Sequence, residues 1–350
     1  MSDTRAYAAF DAKSPLRPYR FSRREPGEHD VLIEILFCGV CHSDLHQVRN
    51  EWASSSYPMV PGHEIVGRVA RVGPRVTRFA AGDSVGVGCF VDSCRTCPAC
   101  MRGEEQYCDG HIAFTYNSTQ KDGKTPTQGG YSSQIVVDEN YVVRVPKGAP
   151  LDRVAPLLCA GITTYSPLRH WKVSKGQKVA VLGLGGLGHM AVKYAAALGA
   201  EVTLLSSSPS KKVDAARLGA HDFALTSDET AFSKLNRRFD VLIDTVSAPH
   251  DVARYAETLT TDGVMVLLGV PEKPATLPAF ALISRRRSIV GSLIGGIRET
   301  QEMLDFSAAK GISADVETIP VQDIDKAYAR MLKGDVRYRF VIDASSLNRD

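Results

Sequence analysis

The rhythm of apolar and polar residues changes near residue 160. Before it, apolar positions come in short runs cut by glycine and proline. Residues 31–37 read as a strand, and residues 64–72 alternate apolar with other side chains before the turn at Gly73 and Pro74. A polar, glycine-containing stretch at 117–130 reads as a loop, after which 133–137 and 141–145 resume strand character. From about Gly161 strands and helices alternate. A buried strand at 178–182 precedes a helix at 187–198 closed by Gly199, then a strand at 201–205 and a helix at 210–218 closed by Gly219. Apolar runs at 241–243 and 264–268 continue the series. Repeated strand–helix units predict an α/β, doubly wound parallel sheet of the Rossmann type, preceded by a β-rich domain. A helix around 299–309 and a last strand at 340–342 are expected to return to that first domain.

At 350 residues the chain exceeds what one core usually organises, so two domains are expected. The 42 basic and 39 acidic side chains nearly cancel, which argues against a general nucleic-acid or membrane-surface role. The run Arg285, Arg286 and Arg287 lacks interleaved aromatics and reads as a solvated turn. Residues 1–30 lack the apolar core of a signal peptide, and no apolar run is long enough to span a bilayer, so a soluble, cytoplasmic protein is expected.

Eight cysteines without a secretion signal suit metal ligation better than disulfides. Cys94, Cys97, Cys100 and Cys108 have the spacing of a closed all-thiolate zinc shell, which is structural. Cys41, His63, Glu64 and Cys159 form a second, more open candidate set. Two thiolates and one imidazole leave a fourth position for water or a substrate oxygen. Cys38 and Cys89 read as small buried hydrophobes.

Gly183, Leu184, Gly185, Gly186, Leu187 and Gly188 spell G-x-G-x-x-G between a predicted strand and helix, the context of a dinucleotide pyrophosphate turn. An NAD-binding chain usually carries a carboxylate after the second strand. Here Ser206, Ser207 and Ser208 stand there, followed by Lys211 and Lys212. Hydroxyls and lysine suit the 2′-phosphate of NADP(H).

Further motifs are residues 39–44 (Gly-Val-Cys-His-Ser-Asp), 61–64 (Pro-Gly-His-Glu), 128–131 (Gln-Gly-Gly-Tyr), 158–163 (Leu-Cys-Ala-Gly-Ile-Thr) and 291–296 (Gly-Ser-Leu-Ile-Gly-Gly). With the cysteine lobe and the glycine turn, they make the chain resemble zinc-containing medium-chain alcohol dehydrogenases over nearly its whole length. The similarity is to the NADP-dependent, cinnamyl-alcohol-dehydrogenase-like branch with its broad aldehyde reductases. The resemblance implies a GroES-like catalytic domain over 1–155 and 295–350, with a structural zinc lobe at about 89–115, and a Rossmann NADP-binding domain over 156–294. It implies two zinc ions per chain and reversible hydride transfer between NADP(H) and primary alcohol/aldehyde pairs. Cys41, His63 and Cys159 would hold the catalytic zinc, with Glu64 an alternative ligand and Asp44 orienting His63. Ser43 would contact the substrate oxygen and pass its proton through the cofactor ribose to His46 near solvent. His42 would lie near the pyrophosphate, and Trp52, Phe114, Leu293 and Ile294 would line the substrate pocket. Plant relatives carry bulkier aromatics at some of these places, so a strict lignin-precursor specificity is not implied. Similar proteins are often homodimers associating through the cofactor domain. Two other classes are weighed against this reading. A zinc-dependent nucleic-acid binder would need a basic groove-reading element, and a C=C or C=N reductase on the same fold would lack the ligands and relay.

Overall fold

A computed structural model describes residues 2–271 and 273–348. The chain divides into two compact units, Met1–Ile162 with Gly295–Asp350, and Thr163–Ile294.

In the second unit the described residues form a six-stranded sheet, every neighbouring pair parallel. Across the sheet the strands run Asp222–Leu225, Glu201–Ser206, Lys178–Leu182, Phe239–Asp244, Leu259–Leu267 and Ser288–Gly291. That is the 3-2-1-4-5-6 order of a dinucleotide-binding fold, whose ligand crevice lies outside the carboxyl ends of the strands where the order reverses. The core holds Leu182, Leu205, Phe239, Leu242 and Met265, and burying such a side chain is worth about 1.5–3 kcal/mol. Helices Gly188–Ala197 and Lys211–Leu218 fall within a residue of expectation, the second closed by Gly219 in the left-handed region. The arginine run differs from expectation. Arg286 pairs with Asp262, but Arg287 is buried. Its guanidinium donates to the carbonyls of Leu259, Ala281 and Glu257 at 3.0, 3.0 and 3.1 Å. An arginine carries five donors and can satisfy three chain ends at once, so one of the three ties elements together and does not face water.

The first unit is built around the long strand Asp30–Val40. It pairs antiparallel with Ile65–Val72, Gln134–Asp138 and Arg339–Asp343. The last of these belongs to the tail, and its register, Phe340 opposite Val40, brings Arg339 to the end of the strand that delivers Cys41. On the other side Ile65 stands opposite Cys38, and Gly39 N donates to Glu64 O at 2.9 Å. Sheet register thus converges on one corner. Two details depart from the sequence pattern. The Asp138 carboxylate accepts from Asn140 N and turns Glu139–Tyr141 into a 3₁₀ helix, leaving only Val143–Arg144 as strand. The antiparallel hairpin of Ser2–Ala8 with Arg17–Arg23 carries mostly exposed or half-exposed residues in its second strand, which blurs its period.

Candidate functional site

Within the first unit two groups of ligand atoms converge, and in each group all the atoms lie within 4.8 Å of one another. The first comprises Cys94, Cys97, Cys100 and Cys108. A short helix, Pro98–Arg102, with proline in its first turn and Gly103 closing it in the left-handed region, folds the lobe back on itself. The Sγ atoms of Cys94 and Cys100 are 3.9 Å apart, close to the ~3.8 Å tetrahedral edge that follows from a zinc–sulfur bond of about 2.3 Å. Backbone amides point at the sulfurs: Cys97 N at Cys94 (3.3 Å), Asp109 N at Cys97 (3.4 Å), Cys94 N at Cys108 (3.4 Å) and Gly110 N at Cys108 (3.3 Å). Ser93 Oγ lies 3.1 Å from Cys100 Sγ. Such donors stabilise thiolates, and those from Thr96 and Cys97 bring the Cys94 thiol down to about 6. Four sulfurs suit a closed zinc shell.

The second group is Cys41, His63, Glu64 and Cys159, all buried. Cys41 caps the helix His42–Val48, and Cys159 sits between a 3₁₀ turn, Ala155–Leu158, and the helix Ala160–His170. Asp44 is buried and organises the corner. Its carboxylate accepts from Cys41 N (2.9 Å), Gly62 N (3.1 Å) and the Tyr131 hydroxyl (3.2 Å), and stands 3.2 Å from His63 Nδ1. A carboxylate that accepts a hydrogen bond from Nδ1–H leaves Nε2 as the ligand atom. Burial lowers the basicity of His63, yet the Asp44 charge holds its pKa well above the ordinary value. Glu64 is gripped by Arg339 through Oε1, while its buried Oε2 has no protein partner. Burial pushes the Glu64 carboxyl up to about 7 against the pull of Arg339. Burial would likewise weaken Arg339, but the charges of Glu64, Cys41 and Cys159 hold it protonated. Bound as thiolates, Cys41 and Cys159 together with the buried carboxylates of Glu64 and Asp44 would outweigh the single guanidinium, an excess of negative charge that a divalent cation offsets. The orphaned Oε2 and this donor set both fit zinc.

The other predicted residues fall in several places. Ser43 is half-buried with Oγ 3.6 Å from Cys41 Sγ. His46 is half-buried, its Nδ1 bonded to Glu51 and its ring stacked on Trp52 at 5.2 Å. His42 is exposed on the same helix, 6.3 Å from His46 ring to ring. Trp52 and Phe114 are exposed in the first unit; Leu293, exposed, and Ile294, buried, end the second.

Sequence reasoning missed four neighbours. Arg339 opens the last strand and is buried, which a charge tolerates only with a partner; its only signal in the sequence was a basic residue directly before the apolar run 340–342. Glu51 fixes the ring of His46. Tyr116 stacks on His63 at 5.8 Å. Cys89 was expected to be a plain buried hydrophobe; Cys38 fits that description, but Cys89 is half-buried and its thiol acts on both Cys159 and His63. Neither tyrosine nor free cysteine had a local pattern to mark it.

In the second unit, Gly183 adopts φ +90° after Leu182, and a Cβ on Gly188 would lie 2.1 Å from Gly183 O. A Cβ on Gly185 would meet nothing within 4 Å, leaving backbone open to a pyrophosphate. Gly186 and Leu187 complete the turn into the helix Gly188–Ala197. At the end of the next strand Ser206 is buried and its Oγ accepts from Ser208 N at 3.2 Å, which presents Ser207 outward. Lys211 opens the following helix, and no carboxylate stands in this turn. The residues fit a 2′-phosphorylated dinucleotide.

The family model for the alcohol dehydrogenase GroES-like domain matches residues 27–147, and that for zinc-binding dehydrogenases matches 186–309. The NADP-dependent alcohol dehydrogenase C of Mycobacterium bovis is 57% identical over 99% of this chain and 100% of its own length. The aldehyde reductase YahK of Escherichia coli is 54% identical over 98% and 99%. Among solved structures, a cinnamyl alcohol dehydrogenase of Sorghum bicolor superposes with a TM-score of 0.95 at 46% identity, covering 98% of each chain. One from Helicobacter pylori, complexed with NADP(H), gives 0.92 at 46% over the same shares. With relatives this similar along nearly its full length, the chain belongs to the zinc-binding alcohol dehydrogenase family of medium-chain fold.

Proposed function

We propose that the protein is a zinc-dependent, NADP(H)-linked alcohol dehydrogenase acting on primary alcohol/aldehyde pairs, with broad aldehyde reduction as its main capacity. The observation that carries this reading is the buried set of Cys41, His63, Glu64 and Cys159, a three-ligand site with a carboxylate in reserve. When bound, zinc supplies Lewis acidity at the substrate oxygen and NADPH supplies hydride. The chain's own residues do the rest. Asp44 holds the His63 ring in its ligating tautomer. Ser43 exchanges the proton of the substrate oxygen, and His46, with Nδ1 fixed by Glu51, exchanges one with solvent through Nε2. The turn at Ser207, Ser208 and Lys211 takes the 2′-phosphate, and a second zinc fastens the lobe at Cys94, Cys97, Cys100 and Cys108. Trp52 and Phe114 offer apolar side chains to the substrate in the first unit.

A panel of aromatic and aliphatic aldehydes assayed with NADPH and NADH tests the reading. NADPH should be preferred in kcat/KM by at least about tenfold, as one charge-assisted contact worth ~1.5 kcal/mol requires. A zinc chelator should abolish turnover and added zinc restore it. Comparable rates with both cofactors would remove the 2′-phosphate assignment, and chelator-resistant turnover the metal assignment.

We also propose a cytoplasmic homodimer joined through the cofactor unit. Among the described residues no helix is long and apolar enough to cross a membrane. Among the described residues strand Ser288–Gly291 is a sheet edge, and Phe280 and Ile283, just before it in sequence, are 77% and 67% exposed, an edge and apolar side chains that a second copy would cover. Light scattering should report twice the chain mass, and Phe280→Glu should yield monomer. A wild-type monomer at micromolar concentration would reject the dimer.

A further inference from the structure

Beyond the glycine turn, the cofactor unit contains a buried ion pair that the proposed chemistry leaves unused. Asp244 ends the strand beside Lys178–Leu182, and its carboxylate is almost wholly buried. Six residues on, His250 folds back so that Nε2 lies 2.8 Å from Asp244 Oδ2 while Nδ1 lies 2.9 Å from Ala248 O. A carbonyl oxygen only accepts, so Nδ1 carries a proton. If the ring were then neutral, the lone pair of Nε2 would face a carboxylate oxygen. The closed arrangement therefore holds one extra proton, as an imidazolium on a carboxylate.

What this clasp closes is the loop at 245–249. Asp244 Oδ1 also accepts from Val246 N at 3.0 Å, and Thr245 Oγ1 donates to Leu182 O at 2.8 Å. The loop lies directly under the first glycine of the turn: a Cβ on Gly183 would meet Val246 Cγ2 at 2.9 Å and Thr245 Oγ1 at 3.1 Å. A Cβ on Gly188 would also meet Thr245 Oγ1, at 3.2 Å. Whatever shifts Thr245 and Val246 therefore shifts the backbone that receives the pyrophosphate.

We propose that His250 is a positioning residue for the dinucleotide, acting through Asp244 and residues 245–248 as a clasp that is shut only while its imidazole is protonated. This rests on the dinucleotide reading of residues 183–188. The groups around the ring agree in sign. Asp244 faces it from its strand and Asp251 adjoins it in sequence. Tyr255, whose ring meets it edge-on at 5.8 Å, is held neutral by burial. Arg254, on the same helix as Tyr255, is paired with Glu229. The Asp244 hydrogen bond leads the causes that raise the His250 pKa, against desolvation. The folded value is thus above that of a free histidine, ordinarily about 6.5, so the clasp's stabilisation is complete below that pH and lost as pH rises through the folded value.

The test is NADPH affinity, read by fluorescence titration without turnover, for wild type and His250→Ala between pH 6.5 and 9.5. The ratio of the two dissociation constants cancels the cofactor's own phosphate titration. It should be about ten at pH 6.5, the size of one charge-assisted hydrogen bond, and fall toward one at pH 9.5. His250→Gln keeps a donor but has no titrating proton, so its affinity relative to His250→Ala should not vary with pH; it also serves if the alanine variant is too unstable to purify, its ratio to wild type being then the one that changes with pH. A ratio to wild type that is one throughout, or raised equally at every pH, would overturn the clasp and leave His250 a purely structural residue. Wild type that fails to bind NADPH at any pH would overturn the dinucleotide reading itself, and the clasp with it.

Discussion

Replacing Cys41 with serine should cost about three orders of magnitude in turnover, the equivalent of ~4 kcal/mol of transition-state stabilisation. The thiol lies at the corner where strand register brings Arg339 and Glu64 together, and its hydrogen bond with Cys159 leads the causes that pull it well below the usual thiol range. A serine hydroxyl holds its proton far more tightly and binds zinc poorly. The buried charges would then lack the negative partner that balances a divalent ion. Metal analysis should fall from two zinc equivalents per chain to one, with the fold retained. Ser43→Ala is the companion experiment. It should keep both zinc ions and lose about a hundredfold in kcat, the scale of a displaced proton-transfer group. If Cys41→Ser keeps wild-type turnover, the catalytic centre lies elsewhere. If Ser43→Ala does so, the relay starts from another group.

The four-cysteine lobe and the glycine turn were legible in the sequence because their residues are local in type and spacing, and Cys41 stood out as a candidate ligand, whereas the role of Ser43 followed only from the family resemblance. The strand–helix series from Lys178 onward was legible for a similar reason: parallel strands buried on both faces read as unbroken apolar runs. What surrounds the ligands was much less visible. Arg339 meets Glu64 across 275 positions of sequence, through antiparallel register that no local pattern announces. Tyr131 reaches Asp44 from 87 positions away in the same manner. The His250 clasp hid differently. Histidine in a polar loop usually means a solvated side chain, and only the position of the Ala248 carbonyl reveals that both ring nitrogens are engaged. Arg287 shows the converse, since a run of like charges looked uniformly solvated until one member proved to be buried against three carbonyls.

Cys97→Ser should damage the protein by a different route. Between Cys94 and Cys108 there are few apolar residues to bury; Met101 and Tyr107, the large ones there, are exposed, while Ala99 and Cys100 are small and buried. Its shape rests on amides pointed at sulfur and on the Arg95 side chain bridging Asp92 and Asp138 at 2.9 Å each. Without metal those sulfurs no longer form a closed shell, and the amides lose acceptors that are weak as thiols. Structural zinc in small peptides supplies about 10–16 kcal/mol of apparent binding energy that appears as folding energy. Loss of one ligand of four should therefore lower stability by several kcal/mol, a magnitude reserved for broken metal sites, cores and networks. The melting temperature should drop sharply and one zinc equivalent should be lost. Because Cys41, His63, Glu64 and Cys159 form a separate group, kcat per folded molecule measured well below the transition should stay within a few-fold of wild type. A Cys97→Ser protein that melts like wild type yet has lost hydride transfer would mean the lobe takes part in the chemistry after all.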